Sequence, residues 1–369
     1  MENSKLFLEG APTVQIGSAP RKRFDPVLIC AAVILSASLI CHGWLLSHLI
    51  SLVPEGNLGE LLVSHLLPSY TFAEREVSLQ FYEAEPLPPK KEDITSDDYV
   101  IRDLSAKAEN GFALSNQTSY SPDLSSLYKA PSPIQKRDKL YERYLEGEPL
   151  VLVYHTHATE SYSDTNDTGS FRTSDPSRSV VSVGEVFCKA LERAGIPSVH
   201  MTELFDDESY NDAYYNSSSA VAEFLKEHPS VQYVIDLHRD CIMTEDDKFV
   251  SASFTDAKTG EDFAQLMFVV GTDEGGSSHT EWEDNLTVAL HLQKELNGKY
   301  PSLMRPVNLR SASFYQHTSP GAMLLEFGSC GNTLDEAKRS AVLFALELAD
   351  YVIGEPTDLD PYAIIEEIC

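Results

Sequence analysis

Positive charge is in short supply in this chain. Across 369 residues, 28 Lys and Arg stand against 57 Asp and Glu, for a formal net charge of -29. Neutralising nucleic-acid phosphates takes clustered basic side chains, so the deficit excludes nucleic acid as a partner. Cysteine is scarce and dispersed. The six residues Cys30, Cys41, Cys188, Cys241, Cys330 and Cys369 contain no CxxC, which argues against a zinc site built from cysteine. Cys30 and Cys41 fall in an apolar segment, and the other four are too scattered for a disulfide framework, although they leave room for one incidental bridge. No GxSxG elbow occurs, so serine-hydrolase chemistry lacks support, and no internal repeat is visible.

One long run carries no charge at all. Val27–Leu46 reads VLICAAVILSASLICHGWLL, and about 20 apolar residues suffice to cross a bilayer core. Arg21, Lys22 and Arg23 precede it, whereas Glu55 and Glu60 follow it. This asymmetry places the N-terminus in the cytoplasm and the rest of the chain outside. The expected order is a cytoplasmic tail (1–25), a single transmembrane anchor (26–53) and an extracytoplasmic linker (54–136) rich in Pro, Ser and acids. A cleaved signal peptide is the rival reading. The run is long for such a segment, and no small-x-small cleavage site follows it.

Beyond residue 137 the texture becomes periodic. Strands are expected over Leu150–Tyr154, Ile196–Met201, Gln232–Leu237, Phe249–Phe254, Leu266–Val270 and Ala322–Phe327. Helical spacing runs from Val183 to Ala194 with Gly195 as its stop, and again around Ala220–Leu225, over Trp282–Asn297 before Gly298, and over Leu334–Val352. Strands alternating with helices predict an α/β domain over 137–355, with a mostly parallel central sheet and helices on both faces. Residues 356–369 read as a C-terminal tail.

The chemistry-bearing residues sit at the ends of apolar runs. In open α/β sheets such ends converge on one site. His155, His157 and Glu160 follow Leu150–Tyr154, His238 and Arg239 close the run VIDLHRD, and Glu326 sits in MLLEFG. Two histidine-bearing ends and a glutamate-bearing end make the donor set of a catalytic zinc hydrolase, with three protein ligands and a carboxylate base. His157, Glu160 and His238 are the expected ligands, and Glu326, costly to bury unpaired, is the expected general base. Asp236 or Asp240 is placed to accept the other imidazole N–H of His238. Arg239, Gln316 and Asn332 are candidates for lining the cleft.

The segments YHTHATESY (Tyr154–Tyr162), VVSVGEVFCKAL (Val180–Leu191), IDLHRD (Ile235–Asp240), FVVG (Phe268–Gly271), WEDNLTVA (Trp282–Ala289) and YQHTSPGAMLLEFGSCGNTLDEA (Tyr315–Ala337) resemble, in order and spacing, the stage II sporulation protein P family of endospore-forming Firmicutes. The resemblance implies a membrane-anchored peptidoglycan hydrolase acting in forespore engulfment, with an amidase-3-like sandwich fold. It further implies a zinc-dependent N-acetylmuramoyl-L-alanine amidase with an additional endopeptidase activity. The implied partners are the sporulation proteins D, a lytic transglycosylase, and M, a polytopic membrane protein. The amidase-3 pattern takes its glutamate ligand from the start of the first helix, yet residues 173–178 read TSDPSR. Glu160 then supplies the third ligand, with Asp175 as the alternative. The choice between His155 and His157 stays open, with the strand-end alignment favouring His157. Two other readings stand beside the amidase: a zinc peptidase confined to peptide cross-links, suggested by the HxxE spacing, and an inactive septal scaffold.

Overall fold

The structure is a computed structural model that describes residues 94–105, 112–134, 146, 148–167 and 169–369. The expected cytoplasmic tail (1–25), membrane anchor (26–53) and first part of the linker lie outside the described residues. No described helix is long and apolar enough to cross a membrane.

The chain opens with β1 (Tyr99–Arg102), β2 (Leu114–Asn116) and α1 (Leu124–Lys129), then passes to β3 (Val151–Tyr154), α2 (Val180–Arg193) and β4 (Ser198–His200). It continues through α3 (Ala213–Glu227), β5 (Tyr233–Asp240), β6 (Phe249–Thr255), β7 (Asp262–Ala264) and β8 (Leu266–Gly271). The last elements are α4 (Trp282–Lys299), β9 (Val307–Arg310), β10 (Gly321–Ser329), α5 (Leu334–Ile353) and α6 (Pro361–Ile368).

Seven strands form one sheet in the order β2-β9-β8-β10-β5-β3-β4. Only the β8–β10 pair runs antiparallel, so the sheet is mostly parallel, as its unbroken apolar runs predict. Alternate side chains of a strand point to opposite faces. Val151, Val153, Ile235, Leu237, Met323 and Leu325 enter the main core beneath α2, α4 and α5. Their neighbours Leu152, Tyr154, Val234 and Ala322 pack instead with Val221 of α3. Helices therefore cover both faces. The polar members of the second set, Asp236, His238 and Glu326, share the α3 side.

Four features depart from the sequence reading. Residues 94–134, expected as linker, supply β1, β2 and α1, and β2 is the edge strand beside β9. A three-residue strand carries too little periodicity to be read. Here Gln293 of α4 fixes it, accepting from Ala113 N at 3.0 Å and donating to its carbonyl at 3.0 Å. The expected tail at 356–369 contains α6, which is capped by Asp360, opens with Pro361, and buries Ile364 in the main core. Helix α4 runs through Gly298, where a Cβ would meet nothing within 4 Å, so the glycine neither fills nor strains the helix. The strand at Phe249–Thr255 pairs outside the central sheet, in a small sheet of order β1-β6-β7.

Candidate metal centre

The site is assembled at the carboxyl ends of β3, β5 and β10. In the β5–β10 register His238 lies opposite Glu326, so their side chains leave the sheet on the same face. The turn after β3 carries His157 over that face. Its ring centroid is 5.6 Å from that of His238, at an interplanar angle of 80°. His157, Glu160, His238 and Glu326 are all buried, none more than 5% exposed.

Two of the three ligand candidates, His238 and Glu160, are held by polar neighbours. Asp236 accepts from Thr156 N at 2.8 Å and from Thr156 Oγ1 at 2.7 Å, tying the His157 turn to β5. The same carboxylate stands 2.8 Å from His238 Nε2 without making a directed hydrogen bond to it. Glu160 Oε2 lies 3.5 Å from His238 Nδ1 and accepts from Arg239 N at 3.1 Å. Burial alone would lower the pKa of His238, but Asp236 and then Glu160 overcome it and hold the imidazole well above its usual range. Burial likewise opposes ionisation of Glu160, and Arg239, then His238, pull its pKa well below the usual carboxylate range. The pocket thus concentrates carboxylate charge around an imidazole and stabilises a cation between them.

His157 is different. Neither of its ring nitrogens has a hydrogen-bond partner among the described residues, although the ring is 1% exposed. A buried imidazole without partners is costly unless something supplies one. Its nearest acid, Asp206, is 3.6 Å from Nδ1 and is itself held by Thr159 and Arg172. Tyr210 stacks over the ring at 4.1 Å, and Tyr214 meets it edge-on at 5.6 Å. A cavity of about 560 Å³, walled in part by Thr159, Arg172, Asp206 and Tyr210, adjoins this side. Among the described residues, no three His, Cys, Asp or Glu side chains are gathered into a finished metal cage. The donors nonetheless fit a zinc ion in kind: two imidazoles and a carboxylate, one imidazole with both nitrogens orphaned.

The other sequence candidates lie elsewhere. His155 points to the opposite face, with Nδ1 donating to the Leu237 carbonyl at 2.9 Å and Nε2 2.8 Å from His200 Nε2. Asp175 is exposed and caps the turn at Pro176–Arg178 through Ser177 N. Arg239 reaches Ser161 O, Phe171 O and Glu160, so it braces the ligand turn from behind. Gln316 bonds Gly271 N and Val269 O, and Asn332 holds the turn into α5 against Ala252, so both are structural clamps. Asp240 pairs with Arg305 rather than His238.

A family model described as Stage II sporulation protein P (SpoIIP) matches residues 62–349. The chain belongs to the SpoIIP family. A SpoIIP relative, the stage II sporulation protein P of Bacillus subtilis (strain 168), is 31% identical over 205 residues, which is 52% of this chain and 48% of that protein. The chain thus matches about half the length of this curated relative. Among solved structures, the N-acetylmuramoyl-L-alanine amidase AmiC2 of Nostoc punctiforme aligns with a TM-score of 0.33 and 11% identity, over 56% of this chain and 96% of that one. The amidase Ami1 from Mycobacterium smegmatis aligns over the same shares, with a TM-score of 0.32 and 11% identity.

In this SpoIIP-family chain the sequence reading missed Asp206, Tyr210, Tyr214 and Arg172, which shape the His157 side. Asp206 lies in the acidic run Phe205-Asp206-Asp207-Glu208, which by composition reads as a solvated loop. Nothing local marks its one buried carboxylate.

Proposed function

We propose that this protein is a cell-wall hydrolase of sporulation, a zinc-dependent N-acetylmuramoyl-L-alanine amidase that releases stem peptides from glycan strands. The observation that carries this reading is the meeting of His157 and His238, 5.6 Å apart between ring centroids, on the face to which Glu326 also projects. His157, Glu160 and His238 would hold the metal. Zinc, when bound, polarises the scissile carbonyl and acidifies the attacking water. Glu326, cross-strand from His238, accepts the proton of that water and returns it to the leaving amine. Asp236 orients His238, and Arg239 orients Glu160.

The topology is part of the proposal. Residues 26–53 anchor the protein as a single membrane pass with the N-terminus in the cytoplasm, and the catalytic region faces the wall polymer. The Cys241–Cys330 disulfide supports an extracytoplasmic setting, because such bonds persist in oxidising compartments. The proposed partners are the engulfment proteins D and M.

The deciding experiment uses Glu326→Gln on purified sacculi. The variant should keep its zinc and lose release of stem peptides by about 100-fold or more, as expected when a general base is removed. Unchanged release would take Glu326 out of the mechanism. Mass spectrometry of the products separates this amidase from a peptidase, since only the amidase leaves glycan chains free of peptide.

A further inference from the structure

A second cavity, of about 300 Å³, opens where α4 begins and the chain enters β10. It lies at the opposite end of β10 from Glu326, about 16 Å along the strand. His279, Glu281, Asp284 and His317 are among its walls. Nothing in the proposed hydrolysis uses it.

The hydrogen bonding around His279 fixes which nitrogen carries the proton. The Asn285 amide nitrogen faces the carbonyls of Ser319, Pro320 and Ala322, at 2.8, 3.2 and 3.0 Å, so it must donate to them. Its Oδ1 is then the acceptor at 2.8 Å from His279 Nε2, and that nitrogen bears the hydrogen. In the neutral ring this leaves Nδ1 as a bare lone pair. Burial, against the opposing bond to Asn285, lowers the pKa of His279, so the ring is neutral near pH 7. Nδ1 is buried, with no hydrogen-bond partner among the described residues, in a side chain 1% exposed.

Two carboxylates, Glu281 and Asp284, also line the cavity at the start of α4. Burial first, and the neighbouring Glu281 carboxylate second, raise the pKa of Asp284, so the two acids repel each other. The His317 ring lies 6.4 Å from that of His279. An imidazole lone pair beside two mutually repelling carboxylates calls for a cation that donates hydrogen bonds. A bare ion would leave most of the about 300 Å³ unfilled. The volume also exceeds by about tenfold the ≈ 30 Å³ share of one water molecule. We propose that this cavity binds a small primary-ammonium compound, with its N–H groups directed to His279 Nδ1 and its charge set against Asp284 and Glu281.

The test is calorimetric titration of the full chain at pH 7.5 with n-butylammonium chloride, with n-butanol and zinc chloride as separate arms. One equivalent of n-butylammonium should bind and n-butanol should not. His279→Leu should abolish binding. Asp284→Asn, a conservative change in the first turn of α4 that leaves the core untouched, should weaken it at least tenfold. The proposal is overturned if n-butylammonium fails to bind, if n-butanol binds equally well, or if Asp284→Asn leaves the affinity unchanged. It is also overturned if, in a His238→Ala background, zinc displaces the amine, which would make this a metal site. Binding is read directly here, so the outcome is independent of whether the protein hydrolyses peptidoglycan.

Discussion

His155 and His157 leave the same strand end two residues apart and meet opposite surroundings. His157 turns toward α3, where neither ring nitrogen has a hydrogen-bond partner among the described residues and the carboxylates of Glu160 and Asp206 stand near. His155 turns toward α2, where the Leu237 carbonyl and His200 Nε2 take up both of its nitrogens. Burial, ahead of the neighbouring His200, lowers the pKa of His155 to about 3, and burial lowers that of His200 to about 4, so the rear pair is neutral. The pairing explains why one imidazole is available for chemistry and the other is not. A ring whose nitrogens are both occupied by protein atoms has nothing left to offer a metal.

The sharpest way to break this comparison is to remove each ring in turn. His157→Ala should lower zinc affinity by about 100-fold or more, above the 10–100-fold typical of losing a group that merely supports a ligand. His155→Asn, which keeps a donor for the Leu237 carbonyl, should change it less than about tenfold. Equilibrium dialysis with elemental analysis measures both. Equal losses in the two variants would erase the distinction between the front and rear faces.

The difference between these rings also marks how far sequence could go. Strand periodicity would send positions two apart to the same face. Here β3 ends at Tyr154 and the turn beyond it breaks the period, so spacing alone could not choose between His155 and His157. The α/β architecture was legible because α2 and α5 bury long periodic stripes and β3, β8 and the stretch Ala322–Leu325 of β10 are unbroken apolar runs. The strand-end polar residues His157, Glu160, His238 and Glu326 were legible for the same reason, since each interrupts or closes such a run. Tyr210 and Asp206 were not, because the loop before α3 has no period and its buried members look like its exposed ones. The short edge strand β2 and the helix α6 were missed because what secures them is tertiary: Gln293 for the strand and the α5 surface for the helix.

The front face has a second fastening that the rear pair lacks. Cys241 and Cys330 join the chain three residues past His238 and four past Glu326, beside a register shift between β5 and β10. Reducing this bridge should cost about 2–4 kcal/mol of stability, the usual range for a native disulfide closing a long loop. Urea unfolding with and without reductant measures it. If the bond fastens the site ends in particular, peptide release should fall in the reduced protein under conditions where the far-UV spectrum is still native. Retained activity would confine the bridge to global stability.

The smallest effect tests the rear face by itself. Gly184 sits within α2, where an alanine would ordinarily favour the helix by about 1 kcal/mol. A Cβ built there falls 2.6 Å from His200 Nε2 and 2.7 Å from His155 Nε2, closer than such contacts tolerate. The His155 ring cannot yield freely, because its Nδ1 is also held by the Leu237 carbonyl. Overpacking costs about 1–3 kcal/mol, so the clash outweighs the propensity gain and Gly184→Ala should destabilise the fold slightly. Zinc stoichiometry should stay as in the parent, since the displaced rings lie behind the sheet. Thermal unfolding and metal content, read on one preparation, decide it: a stabilised variant would mean that the glycine serves no packing need, and a metal-free one that the rear pair governs the front.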